Sequence, residues 1–243
     1  MNANSRHTLL GVRIGGLLLA AILGVSGFLS TGRLEAAVII TNTAQEGPGN
    51  TFSVSSTDLL QTSLASASVT GDFYGISSGD STVLYNGLFG ASGIAGAPQS
   101  LAPTGNYVIT FALDLSVNTN GYFLTQLDSF TSWDAGRDGQ QYSVLYSTAF
   151  APDTFFALAT VPQFNPSPTD GDHSHTRVSL TDSTGTLASN VAKIRYTFTG
   201  FENGGTAYRE LDIIGTSVPE PGIFGLFALG LGGLTLRRTK KRI

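Results

Sequence analysis

Two short stretches concentrate the side chains that could do chemistry. In the first, Trp133, Asp134, Arg137 and Asp138 gather around Gly136, and Trp133 is the only tryptophan of the chain. An indole ring can stack on the apolar face of a sugar while the carboxylates and the guanidinium hold its hydroxyls. These four residues are therefore the candidate ligand-binding set. A competing structural reading, the preferred one, puts Trp133 in the core and pairs Arg137 with a nearby acid such as Glu210. The second stretch carries Asp170, Asp172, His173 and His175 within six positions. Carboxylates and loop carbonyls suit Ca²⁺, and two histidines with an aspartate suit a transition metal. These are the candidate metal ligands, although their spacing matches no zinc signature. Pro166 and Pro168 stand just before them, so the stretch is expected on an exposed loop. A solvated polar loop with no bound ion is the plainer reading, and no cofactor is expected.

Catalysis finds little else to stand on. There is no Gly-x-Ser-x-Gly, no His-Glu-x-x-His and no phosphate-binding glycine loop. The chain has three histidines, and the third, His7, lies near the N-terminus. A serine triad would have to use His173 or His175. The absence of cysteine removes thiol nucleophiles, thiolate metal sites and disulfides. Paired carboxylates for glycoside hydrolysis stay open as an alternative, because acids are plentiful. An exported carbohydrate-active hydrolase is therefore the rival of a non-enzymatic reading, with a purely structural protein as the third.

The elements that must position these residues read as strands. Apolar runs at 37–40, 107–113, 142–146, 155–161, 176–180, 193–198 and 210–214 are separated by Gly, Pro, Asn and Asp. Ile194, Tyr196 and Phe198 alternate with Lys193, Arg195 and Thr197, the period of a half-buried strand. No long helical period interrupts them. The middle of the chain is expected to be all-β, a sandwich or jelly roll of many short strands.

Neither end looks like part of that core. Arg6 and Arg13 precede an uncharged stretch over 14–29, and small residues follow at Ala36 and Ala37. This is the pattern of a secretory signal helix, with cleavage expected after Ala36 or Ala37. The domains are then 1–37, signal peptide; 38–217, ectodomain; and 218–243, tail. Residues 38–217 hold five of the thirteen basic and fifteen of the seventeen acidic residues. Their net charge of about −10 repels phosphate backbones and disfavours nucleic acid.

The tail has its own order. Val218-Pro219-Glu220-Pro221 comes first. An uncharged run follows, with Ile223, Phe224, Leu226, Phe227, Leu229, Leu231, Leu234 and Leu236. Arg237, Arg238, Lys240, Lys241 and Arg242 close the chain. The apolar run is short for a membrane helix but can reach across a thin bilayer. The basic cluster would stay in the cytoplasm and leave the ectodomain outside. The signal peptide implies the same topology independently. Pro219 and Pro221 fix φ and withhold N–H groups, so the segment between domain and membrane resists joining a helix or sheet. An extended peptide at the membrane face is what a protease can grip.

In these three parts the tail resembles the PEP-CTERM sorting domain; Gly222 stands where many members carry Ser, Thr or Ala. The resemblance implies a Gram-negative bacterium that makes exopolysaccharide. It implies processing near 219–221 by an exosortase, a membrane-embedded transpeptidase, after the secretion translocon and signal peptidase have acted. The protein would be an inner-membrane-anchored intermediate and then a cell-surface or extracellular matrix component. The middle of the chain resembles galactose-binding-like jelly rolls of the discoidin and coagulation-factor C type, through the strand Tyr142-Ser-Val-Leu-Tyr146-Ser147 after a loop and Glu210-Leu-Asp-Ile-Ile-Gly215 near the end. That resemblance implies a largely structural arginine at Arg137, and the ectodomain is expected to be structural or to bind extracellular polysaccharide weakly.

Overall fold

The computed structural model describes residues 37–47, 52–71, 73–75, 81–90, 101–103, 106–134, 136–165, 173–199 and 205–220. The signal helix expected over 1–37 and the membrane helix expected in 218–243 fall almost wholly outside these residues. No helix among the described residues is long and apolar enough to cross a membrane.

Eleven strands appear in the described residues: β1 (Val38–Glu46), β2 (Leu64–Thr70), β3 (Phe73–Gly75), β4 (Leu101–Pro103), β5 (Asn106–Leu113), β6 (Tyr122–Asp134), β7 (Gln140–Thr148), β8 (Ala151–Phe164), β9 (His173–Asp182), β10 (Ala188–Thr199) and β11 (Tyr208–Ser217). Every pairing is antiparallel, and the pairings fall into two layers. One runs β2-β5-β10-β7-β8 and the other β1-β9-β6-β11-β4-β3. They join at one corner, where the start of β6 pairs with the start of β10 through Tyr122↔Val191 and Leu124↔Ala188.

The layers face each other through the residues that the strand alternation singles out. Ile194, Tyr196 and Phe198 are fully buried, and so are Leu127, Val178, Leu180, Leu211 and Ile213 of the second layer. Tyr208 of β11 meets Phe198 of β10 at 4.5 Å and Tyr142 of β7 at 6.3 Å between ring centroids. Each such side chain contributes roughly 2–3 kcal/mol by leaving water. The all-β sandwich expected from the sequence is what forms.

A second, thinner cover lies over the outer face of the β9-β6-β11 layer. It is made by the chain flanking helix α1 (Leu59–Thr62) and a 3₁₀ turn, Ser81–Tyr85, whose own apolar residues Leu59, Leu60, Val83 and Leu84 join the core between the layers. Asp58 caps α1, its Oδ1 accepting from Leu60 N at 2.6 Å, the usual service of a carboxylate at a helix start. Phe52 and Phe89 pack on Phe130 at 5.9 and 6.3 Å. This segment pins one face of the sandwich and leaves the outer face of β2-β5-β10 open.

Candidate functional site

The two chemistry-bearing stretches, some 35 positions apart in sequence, are neighbours in space. β6 and β9 pair so that Ser132 faces His175, Trp133 faces Ser174 and Asp134 faces His173. The histidines stand on a strand, not on the exposed loop that Pro166 and Pro168 suggested, because the β6–β9 ladder extends to His173. His175 is fully buried. Its Nε2 lies 3.1 Å from the Gly47 carbonyl and must donate to it. Its Nδ1, 2.7 Å from Ser132 Oγ, therefore accepts from that hydroxyl. Both ring nitrogens serve the fold. The Ser132–His175 contact has the elements of a nucleophile and base, yet it is sealed from solvent and its far nitrogen meets a carbonyl, not a carboxylate. Asp170 and Asp172 lie outside the described residues, and no metal-holding cluster of three occurs among the described ones.

The loop after β6 is equally committed. Asp138 is fully buried. Its carboxylate accepts from Ser174 Oγ, and its carbonyl accepts from the Thr131 and Thr176 hydroxyls. Trp133 is 7 % exposed beside Ala207, with the Arg137 guanidinium 5.4 Å over its ring. Ala207 N donates to the Arg137 carbonyl at 2.8 Å. The expected Arg137–Glu210 pair is replaced: Glu210 accepts from Gly87 N at 3.1 Å and Asn86 N at 3.3 Å. A ring this covered turns little of its face to solvent, and the Asp138 side chain none.

Beneath the α1 cover lies a group of acids that sequence spacing hid. Asp128, Glu210 and Asp212 share the outer face of β6 and β11, and Asp58 lies above them. All four are at most 4 % exposed. Arg177 Nη2 meets Asp128 Oδ2 at 2.7 Å, and Ser55 N donates to Asp212 Oδ2 at 2.7 Å. Burial pushes the Asp58 carboxyl up to about 6, against the Leu60 N–H that lowers it. Burial likewise carries Asp212 up to about 7, with the charges of Asp58 and Asp128 adding and Ser55 N opposing. Glu210 is pushed up to about 9 by burial, helped by Asp212 and Asp58 and opposed by the Gly87 N–H. These groups fix the cover to the sheet.

The opposite outer face is polar and open. A groove of about 320 Å³ lies across β2, β5 and β10 with β8 on its far side. Ser66, Ser68 and Thr110 line one side, and Lys193, Arg195, Asp153 and Phe155 the other. Arg195 sits 3.7 Å over the Phe155 ring, and its Nε donates to Thr110 Oγ1 at 3.1 Å. Sequence reasoning passed over these residues, which come from four strands. The available signal was that Lys193 and Arg195, two of five cations in residues 38–217, stand two apart on a strand and so share a face.

The described part of the tail begins flush with the sandwich. β11 pairs Thr216 and Ser217 with Phe123 and Tyr122, and Val218 N donates to the Gly121 carbonyl at 2.9 Å. Thr119 Oγ1 donates to Glu220 Oε1 at 3.1 Å, and Asn120 Nδ2 to the Pro219 carbonyl at 3.5 Å. Gly121 makes this turn at φ +77°, where a Cβ would meet the Asn190 and Val191 backbone at 2.7 Å. Pro221, the apolar run and the basic cluster lie outside the described residues.

Comparison with known proteins adds three findings. No curated protein matches the chain. Solved carbohydrate-binding modules resemble it in fold: the CBM32 of AlyQ in complex with 4,5-unsaturated mannuronic acid is 12 % identical, covers 62 % of this chain and 95 % of its own, and has a TM-score of 0.40. A CBM32 module from Clostridium perfringens, in complex with GalNAc-beta-1,3-galactose, is 12 % identical over 63 % of this chain and 99 % of its own, at a TM-score of 0.42. The C-terminal domain of a chitobiase from Bacteroides fragilis is 14 % identical over 67 % and 100 %, at 0.37. Residues 217–241 match the PEP-CTERM protein-sorting motif, so the chain ends in a PEP-CTERM sorting signal.

Proposed function

We propose that the chain is an exported, non-catalytic protein in which the tail is the address and the acidic β-sandwich is the cargo. The sorting motif at 217–241 carries this reading. An exosortase-like transpeptidase would process the chain near 219–221, after translocation and signal cleavage, from an inner-membrane-anchored intermediate. The product would reach the cell surface or the extracellular matrix. The geometry of the motif supports it. Val218, half-buried, and Pro219 and Glu220, exposed, leave the sandwich outside any helix or strand and touch the 118–121 turn at its rim, so cleavage there leaves β11 whole.

The cargo binds extracellular polysaccharide weakly and does no chemistry on it. The open polar groove favours this over a purely structural role. The buried state of Ser132, Asp138 and His175 speaks against a hydrolase built on them. The test is the mass of the C-terminus in cells with and without the exosortase. The reading expects a product ending between residues 218 and 221 in the first strain and an intact tail in the second. An intact tail in both would refute the sorting role. Turnover of any glycan by the purified chain would replace the cargo reading with the hydrolase.

A further inference from the structure

We propose that the groove across β2, β5 and β10 is a binding site for a polyuronate chain, with Arg195 as the fork that receives a sugar carboxylate. The proposal rests on the polysaccharide-binding reading and names its site and ligand class.

Arg195 is prepared for this role. Its plane is laid on the Phe155 ring at 3.7 Å, and its Nε is tied to Thr110 Oγ1 at 3.1 Å. Among the described residues its two terminal NH₂ groups have no partner. A guanidinium held at the ring face and at Nε keeps its remaining edge fixed, and that edge matches a carboxylate through two parallel N–H···O bonds. Stacking on an aromatic ring adds to this preorganisation without neutralising the charge. Arg137 offers a contrast: it also lies over a ring, but it belongs to a loop sewn into the fold.

The rest of the groove suits the sugar. Lys193 Nζ pairs with Asp153 Oδ1 at 2.8 Å, and Asp153 is 91 % exposed. An exposed pair of this kind contributes little to stability and can be exchanged for ligand contacts. Lys193 then supplies a second cation for the next uronate, and Asp153 accepts from ring hydroxyls. Ser66 and Ser68 on β2 both donate and accept, which hydroxyl-rich chains require. About 320 Å³ lies at the small end of ligand pockets, roughly 300–1,000 Å³, and suits a short stretch of a longer polymer. The ectodomain charge of about −10 repels polyanions at a distance, but screening confines that effect to about 8 Å at physiological salt. Recognition is therefore decided by the cations inside the groove.

The test uses the full chain in detergent micelles and isothermal titration with four probes: a polygalacturonate oligomer, its carboxyl-reduced neutral counterpart, a polymannuronate oligomer and dextran sulfate. At least one of the two polyuronates should bind about tenfold or more tightly than the neutral chain and than dextran sulfate, the step expected from one bidentate charge-assisted contact. Arg195→Gln and the charge-keeping Arg195→Lys should both remove that advantage with an unchanged melting temperature. Thr110→Val, which frees Nε, gives a milder loss. Glycan binding that survives both Arg195 variants would overturn the groove and leave the polysaccharide-binding reading standing. Equal binding of the uronate and neutral chains, or of uronate and dextran sulfate, would overturn carboxylate recognition. No binding of any probe by the unmodified chain would overturn the reading itself along with the site.

Discussion

The sandwich has two polar outer regions built from the same residue types with opposite fates. On the β9-β6-β11 side, Asp58, Asp128, Glu210, Asp212 and His175 are covered; Asp128 accepts from the Arg177 guanidinium and the Gln126 amide, and the others bond backbone N–H groups, a hydroxyl and a carbonyl. On the β2-β5-β10 side, Lys193, Arg195 and Asp153 stay in contact with solvent. A cluster of polar side chains announces chemistry only when it keeps donors or acceptors free for something outside the fold. The first region is shut beneath its cover, where Asp58 Oδ2, Asp128 Oδ1 and Asp212 Oδ1 have no hydrogen-bond partner yet cannot reach solvent; the second stays open to it.

The sharpest way to break this contrast is Trp133→Ala. If the loop after β6 is structural, truncating a ring that is 7 % exposed should lower stability by about 3–5 kcal/mol, read by urea denaturation. Loss of glycan binding with unchanged stability would move the functional site back to that loop. Gly121→Ala comes next. A methyl group at φ +77° pressed on the Asn190 and Val191 backbone should destabilise the chain by about 1–3 kcal/mol and loosen Val218, seen as faster proteolysis at the motif.

The buried acids sharpen the comparison through pH. The folded values of Asp58, Asp212 and Glu210, about 6, 7 and 9, stand above the unfolded range near 4. The folded chain therefore holds more protons than the unfolded one between those limits, and stability falls as pH rises from about 5 to 9. Glu210→Gln should flatten that slope and raise the melting temperature at pH 8, because a neutral amide no longer has to keep a proton. A slope unchanged in Glu210→Gln would count against the buried-acid account. The smallest effect belongs to Thr119→Val, which removes an exposed hydrogen bond to Glu220. It should change stability by less than about 0.5 kcal/mol, and its measurable consequence is a faster rate of tail processing.

What could be read from sequence divides along the same line. The tail was legible because its meaning lies in the order of about 25 consecutive residues. The strands β1, β5 and β7 to β11 were legible because each holds a short apolar run between turn residues, alternating with polar positions in β10. β2 was not, since Leu64-Ala-Ser-Ala-Ser-Val-Thr70 is small and polar and holds its place through pairing with β5. The stretch at Trp133 was visible as a cluster, but its burial was set by the β6–β9 register, which no local pattern encodes. The acid group and the groove were invisible for that reason, each assembled from residues up to about 150 positions apart.

Amide chemical shifts of the full chain in micelles, followed during titration with a polyuronate oligomer, would locate the ligand directly. The account predicts perturbations at Ser66, Ser68, Thr110 and Arg195 while Trp133, Arg137 and Ser174 stay still. Shifts confined to Trp133, Arg137 and Ser174, with a silent groove, would contradict it.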